Sequence, residues 1–249
     1  RMILLCSPLS TLLVPVASGA TIGFVQGNYA TPQGSKSTVS VKYKAAQVAG
    51  DLNVVVVGWN DTTAAVKSIS DSAGNSYALA VGPTLVSGLL SQSIYVASNV
   101  APAAAEANTV TVTFSAPAVY ADVRILEYRG ADLVNPVDVV GASHGSSSST
   151  SAAVITTNPT DLLLAANTVR TSVNGPGSGF TKRLLTQPDG DIAQDKMVQT
   201  AGAYTATAPL SSAGAWIMQS VAFRTPSISI STPVSLSTLS CSNSSVTGA

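Results

Sequence analysis

The pentapeptide Gly-Ala-Ser-His-Gly, residues 141–145, has the Gly-x-Ser-x-Gly form that presents a serine nucleophile in many esterases. That form works where a strand enters a sharp turn and a helix leaves it. Upstream, "VDVVGAS" (137–143) supplies a candidate strand, but "GSSSSTS" (145–151) downstream is no helix. The base is a second difficulty. His144 is the chain's single histidine and sits beside Ser143. Neighbours on an extended chain point to opposite faces, so His144 is badly placed to take the Ser143 proton. A plain Gly/Ser turn accounts for the pentapeptide. Neither cysteine offers a nucleophile, since Cys6 lies in a leader-like start and Cys241 in a Ser/Thr-rich tail.

Acidic turns are the next source of chemistry. "QPDGDIAQD" carries Asp189, Asp191 and Asp195, "GWND" carries Asn60 and Asp61, and "SDSAGN" carries Asp71 and Asn75. Calcium takes six to eight oxygens, which clustered Asp, Asn and carbonyl groups in glycine turns provide. Asp189 and Asp191 are spaced like the start of an EF-hand loop, yet Thr200 stands where the twelfth-position Glu belongs. The expectation is an irregular calcium site, with ordinary hairpin-turn chemistry as the alternative. One His and no Cys pair disfavour zinc.

A glycosidase needs two carboxyl groups across a sugar. The only glutamates are Glu106, in a loop or single turn, and Glu127, within an apolar strand. Facing inward, Glu127 would have a raised pKa and act as an acid. It pairs equally well, on paper, with Arg124 or Arg129. Asp61 and Asp122 are available as second carboxylates, but no spacing selects either. Trp59 and Trp216 flank apolar strands and read as core, or, if exposed, as platforms for sugar rings.

The elements that must hold these residues are short strands. "TVSVKY" (38–43) and "TVTVTF" (109–114) alternate, while "DLNVVVVGW" (51–59) and "DLLLAANTV" (161–169) are near-continuous apolar runs, as strands covered on both faces are. Ten or eleven such strands between Gly, Pro, Asn, Asp and Ser turns point to an all-β, two-sheet sandwich with jelly-roll topology. The halves resemble each other. Asp51 and Leu52 match Asp161 and Leu162, and 109–130 matches 203–225. The expected organisation is a domain over 21–225, with halves 21–144 and 152–225 joined by a Ser-rich crossover at 145–151.

Charged residues are 10% of the 249, acids and bases balance at twelve each, and aromatics are 5%. Nothing favours nucleic acid as a partner. Arg1, the apolar run 2–16 and the small residues 17–20 read as a secretory signal peptide, too short to span a bilayer. Residues 226–249 read as a linker and the truncated start of another domain.

Here a resemblance adds to the residues. "AGDLNVVVVGWND", "SISDSAGNSYALAVGP", "ILEYRGAD" with "NPVDV", and "QPDGDIAQD" resemble an uncharacterised jelly-roll or lectin-like module of large secreted, multidomain bacterial proteins. "LSTLSCSNSSVTGA" is similar to the opening of a bacterial immunoglobulin-like repeat. The resemblance implies a secreted or cell-surface binding or adhesion module. Its ligand would be an extracellular glycan or small molecule, with calcium, and its partners other domains of the same chain. The alternatives are a calcium-dependent hydrolase of small esters or lactones, in which a metal polarises the carbonyl, and a structural spacer.

Overall fold

The computed structural model describes residues 21–226. The leader-like residues 1–20 and the chain beyond Pro226, with Cys6 and Cys241, lie outside the described residues. The described part forms thirteen strands and no helix. They are β1 (Gly23–Ala30), β2 (Lys36–Lys42), β3 (Leu52–Trp59), β4 (Val66–Asp71), β5 (Ala78–Val86), β6 (Leu90–Ala97), β7 (Thr109–Ala118), β8 (Asp122–Arg129), β9 (Val137–Ile155), β10 (Asp161–Val169), β11 (Thr181–Leu185), β12 (Ile192–Val198) and β13 (Ala203–Arg224). Antiparallel pairing gives three sheets, ordered β1-β8-β3-β6-β5, β11-β12-β10-β13-β9 and β2-β7-β4. The all-β sandwich expected from the sequence is therefore the fold. Its layering differs from the two four-stranded sheets of a jelly roll. No helix among the described residues is long and apolar enough to cross a membrane.

Alternation along the strands explains the layers. Leu52, Val54 and Val56 of β3 and Leu126 and Tyr128 of β8 face Leu162, Leu164 and Ala166 of β10 and Val221 and Phe223 of β13. The odd-numbered side chains Val55, Val57, Trp59, Val123 and Ile125 pack instead on Val39, Val41, Val110, Val112 and Phe114 of the three-stranded sheet. On the far side, Leu163, Ala165, Met218 and Ala222 meet Ala152, Val154, Ala206 and Ala208. Thus β3 and β10 are buried on both faces, which is why they carry no polar alternation. Each fully buried Val or Leu is worth roughly 1.5–3 kcal/mol, so these two strands anchor the fold.

The third cluster exists because β9 and β13 are unusually long, at 19 and 22 residues. They pair along their length, with an irregularity between Pro209 and Gly214. On one side of it, 137–147 and 214–224 belong to the five-stranded sheet. On the other, 149–155 and 203–209 fold across that sheet's outer face. The Ser run 145–151 does not join the two units, because the chain before it (137–144) and after it (152–155) pairs with the same strand, β13. The run is itself paired strand, because β13 supplies the backbone hydrogen-bond partners that isolated Ser residues lack.

The strand registers repeat. Leu52 pairs with Tyr128, and Leu162 with Phe223. Val56 pairs with Arg124, and Ala166 with Gln219. The two halves are therefore equivalent units packed through the same face, as in an isologous interface. Gly58 and Thr168 are equivalent positions and meet at the pseudo-twofold axis. A Cβ on Gly58 would lie 2.1 Å from Thr168 Oγ1, so only glycine fits there. Off the axis, Gln219 donates to the Gln92 carbonyl at 2.9 Å. Its counterpart Arg124 reaches across the same seam to donate to the Ile192 carbonyl at 2.8 Å.

Candidate functional site

The seam between the units opens at one end into a cleft of about 260 Å³. Its walls come from loops of both halves. Gln33 follows β1, Asn60 follows β3, and Tyr120 precedes β8. Arg170 and Thr171 follow β10, and Asp189 and Asp191 flank Gly190 before β12. The Asp-Gly-Asp turn is fixed locally. Gly190 has φ +76°, and a Cβ there would meet Ser172 Cβ at 2.6 Å. Two contacts strap the halves together, Thr31 Oγ1 donating to the Gln187 carbonyl and Gln33 Nε2 to Asp189 Oδ1, both at 2.8 Å.

Beneath the cleft lies a buried charge cluster. Arg124 Nε is 2.8 Å from Asp122 Oδ1, though not aligned as a hydrogen bond, and Nη2 is 4.0 Å from Asp191 Oδ2. Asp191 Oδ1 accepts from the Val169 amide at 2.9 Å. One guanidinium serves several carboxyl groups. Burial pushes Asp122, Asp189 and Asp191 up from the ordinary Asp value, while Arg124 pulls each down. Asp189 Oδ2 and Thr171 Oγ1 are buried without a hydrogen-bond partner. Arg170 is exposed at the cleft, and Tyr120 is 43% exposed in the left-handed region at φ +46°.

Of the acidic-turn residues, the fold brings Asn60, Asp189 and Asp191 to this cleft and sends the others elsewhere. Asp61 caps its own turn, accepting from the Thr63 and Ala64 amides at 2.9 and 2.8 Å and from the Val119 amide at 2.8 Å. Asp71 accepts from Asn75, Tyr77 and Asn108 side chains. Asp195 holds Tyr128 and Arg183. Among the described residues no three His, Cys, Asp or Glu side chains converge as a metal-ligating group. Asn60, Asp189 and Asp191 share the wall of the cleft. Gln33, Tyr120, Arg170 and Thr171 carry no sequence signal of their own, because each is a single loop residue brought in by the packing of the halves.

The pentapeptide has a structural explanation. Residues 141–145 are mid-strand in β9, with His144 exposed and Ser143 half-buried on the opposite face. A Cβ on Gly141 would lie 2.0 Å from the Ala153 carbonyl oxygen of the folded-over ribbon, and one on Gly145 would lie 2.8 Å from Trp216 Cζ2. Both glycines admit close neighbours, and neither shapes a nucleophile turn. Trp216 is core, its Nε1 donating to Ser147 Oγ at 2.9 Å. Trp59 is core as well, edge-on to Phe114.

Glu127 faces inward, as the strand pattern allowed, but pairs with neither arginine. Arg129 grips Asp51 through two hydrogen bonds of 2.9 and 2.7 Å. Glu127 Oε2 accepts from Gln26 Nε2 at 2.6 Å. Burial, then the adjacent Asp51, raises Glu127 from 4.5 to about 7. The equivalent end of the second unit repeats this device. Burial and the neighbouring Asp138 raise Asp161 from 3.8 to about 7, with Arg224 3.3 Å from Asp138.

These two groups predict a pH dependence. Folded Glu127 and Asp161 hold protons that the unfolded chain has released above 4.5 and 3.8. Stability is therefore full below those values and lost as pH rises through about 7. Asp61 and Asp71 act oppositely. Burial raises them, but their hydrogen bonds outweigh it and leave both lowered, so their contribution disappears in stronger acid. The melting temperature should peak in mild acid and fall towards pH 8, with Glu127→Gln flattening the fall. Melts across pH 4–8 that rise steadily with pH would contradict this.

The chain matches no protein-family model, no curated protein and no solved structure. The cleft must therefore be read from its own groups. It offers donors on Asn60 and Arg170, acceptors on Asp189 and Thr171, and an exposed aromatic face on Tyr120. That set suits recognition of a hydroxyl-rich molecule with an apolar ring face.

Proposed function

We propose that this chain is a binding module of a secreted or cell-surface protein, and that its seam cleft takes a glycan. The observation that carries the reading is the pair of buried, unpartnered acceptors, Asp189 Oδ2 and Thr171 Oγ1, beside a cleft rimmed by Arg170, Asn60 and Tyr120. Buried polar atoms without partners mark places where something absent completes the hydrogen bonding. The left-handed conformation of Tyr120 supports the same reading, since strain of this kind gathers at ligand clamps.

The test is a glycan array followed by titration calorimetry on its hits, with calcium and with chelator. Asp189→Ala should weaken binding about tenfold or more, as expected for a hydrogen bond to a charged group. Tyr120→Gly should weaken binding while leaving the melting temperature unchanged or higher, because glycine removes a left-handed cost of about 1–2 kcal/mol. An array without hits, or hits indifferent to both substitutions, would overturn the reading. Affinity that disappears on chelation would assign Asn60, Asp189 and Asp191 a calcium ion at the cleft.

A further inference from the structure

The first unit contains a second cavity, of about 360 Å³, that shares no lining residue with the seam cleft. Its wall includes Trp59, Val66, Leu79, Leu85 and Tyr95, with hydroxyls from residues such as Ser93. Leu79 and Leu85 are nearly half exposed at 49% and 45%, whereas Trp59 is buried. Trp59 Nε1 has no hydrogen-bond partner, unlike Trp216 Nε1, which donates to Ser147. A buried indole N–H without an acceptor is costly, and the cavity that Trp59 lines falls in the size range of small-molecule sites.

The second unit shows what the same place looks like when filled. Tyr95 pairs with Val55, and Gln194 pairs with the equivalent Ala165, so Tyr95 and Gln194 are counterparts. Gln194 accepts from the Gly177 amide and donates to the Thr207 carbonyl, both at 2.8 Å. Gly177 packs so closely that a Cβ would lie 2.1 Å from the Thr207 oxygen, and Phe180 enters the apolar cluster behind it. The segment leading there is held to β13 by the bridge Val173–Leu210 and by the Asn174 amide, which donates to the Pro209 carbonyl at 2.9 Å. In the first unit the segment that follows β3, Thr62–Val66, stays at the cavity wall, and β4 then runs on along β7 from Val66 to Asp71.

We infer that the Trp59 cavity binds a small molecule with one aromatic or aliphatic ring and a hydrogen-bond acceptor, occupying the space that residues 174–180 fill in the second unit. The ring replaces the apolar filling, and the acceptor takes the Trp59 N–H.

Methyl benzoate is a suitable probe, with toluene as the control that lacks an acceptor. The two indole N–H signals of the full chain, assigned with Trp59→Phe and Trp216→Phe, are followed by proton–nitrogen correlation spectroscopy. Methyl benzoate should move the Trp59 signal downfield, saturably, and leave Trp216 in place. Toluene should bind about threefold to tenfold more weakly, the range expected for one net hydrogen bond. Trp59→Phe, followed through the backbone amide signals of the lining residues Leu79, Leu85 and Ser93, should erase that preference, and Leu85→Asp, at a half-exposed rim position, should weaken methyl benzoate binding at least about fivefold. A Trp59 signal that never saturates, one that moves in step with Trp216, or a preference that survives Trp59→Phe would overturn the inference. None of these readings depends on a glycan binding at the seam.

Discussion

Replacing Arg124 with methionine should destabilise the protein by about 3–5 kcal/mol, or roughly 6–20 °C in melting temperature for a domain of this size. Arg124 is fully buried between the halves, 2.8 Å from Asp122 and 4.0 Å from Asp191, and it donates to the Ile192 carbonyl. Methionine keeps much of the volume but removes the only positive charge at those distances among the described residues. Burial already raises both aspartates, and losing the guanidinium would raise them further. The deficit should therefore be larger at pH 8 than at pH 5, because ionised Asp122 and Asp191 are then left without compensation. Urea denaturation at both pH values measures it. Adding Asp122→Asn should recover part of the loss, since it removes one of the stranded charges. A loss below about 1 kcal/mol at either pH would mean that the cluster is far more hydrated than its burial indicates.

Gly141→Ala should be about as damaging, at about 3 kcal/mol or more, while Ser143→Ala should stay within about 0.5 kcal/mol. The Cβ of an alanine at 141 would sit 2.0 Å from the Ala153 carbonyl oxygen. That atom is backbone of the same strand, β9, folded over itself, so it cannot turn aside as a side chain would. The ribbon 149–155 would have to lift from the sheet, uncovering Leu163, Ala165 and Met218. Ser143 lies between the two glycines and is only half-buried. A nucleophile site would give the opposite order, with serine decisive for activity. Thermal melts of both variants, with hydrolysis of short esters assayed alongside, separate the cases. A folded Ser143→Ala protein that lost an ester-hydrolysing activity present in the parent would restore the pentapeptide as an active site.

The local pattern alone determined the all-β class, the doubly buried strands β3 and β10, and the correspondence of Asp51 with Asp161. Those features were legible because burial on both faces forces continuous apolar runs, and repeated registers force repeated sequence. Strands β1, β4 and β5 were less legible. β1 and β5 are edge strands with bulges and β4 is a half-exposed edge strand with an irregular register, so their alternation is broken. The Ser run reads as an exposed crossover and not as paired strand, because its pairing is supplied by β13, about sixty residues away. Tertiary structure also decided the sites. It spent Asp61, Asp71 and Asp195 on caps and core hydrogen bonds and carried Arg124 into the seam, away from Glu127. It joined Gln33, Asn60, Tyr120, Arg170 and Asp189 from five separate loops. A strand's pattern records which face is buried, because that depends on near neighbours. It does not record what lies across the seam, because the packing of two whole units sets those contacts.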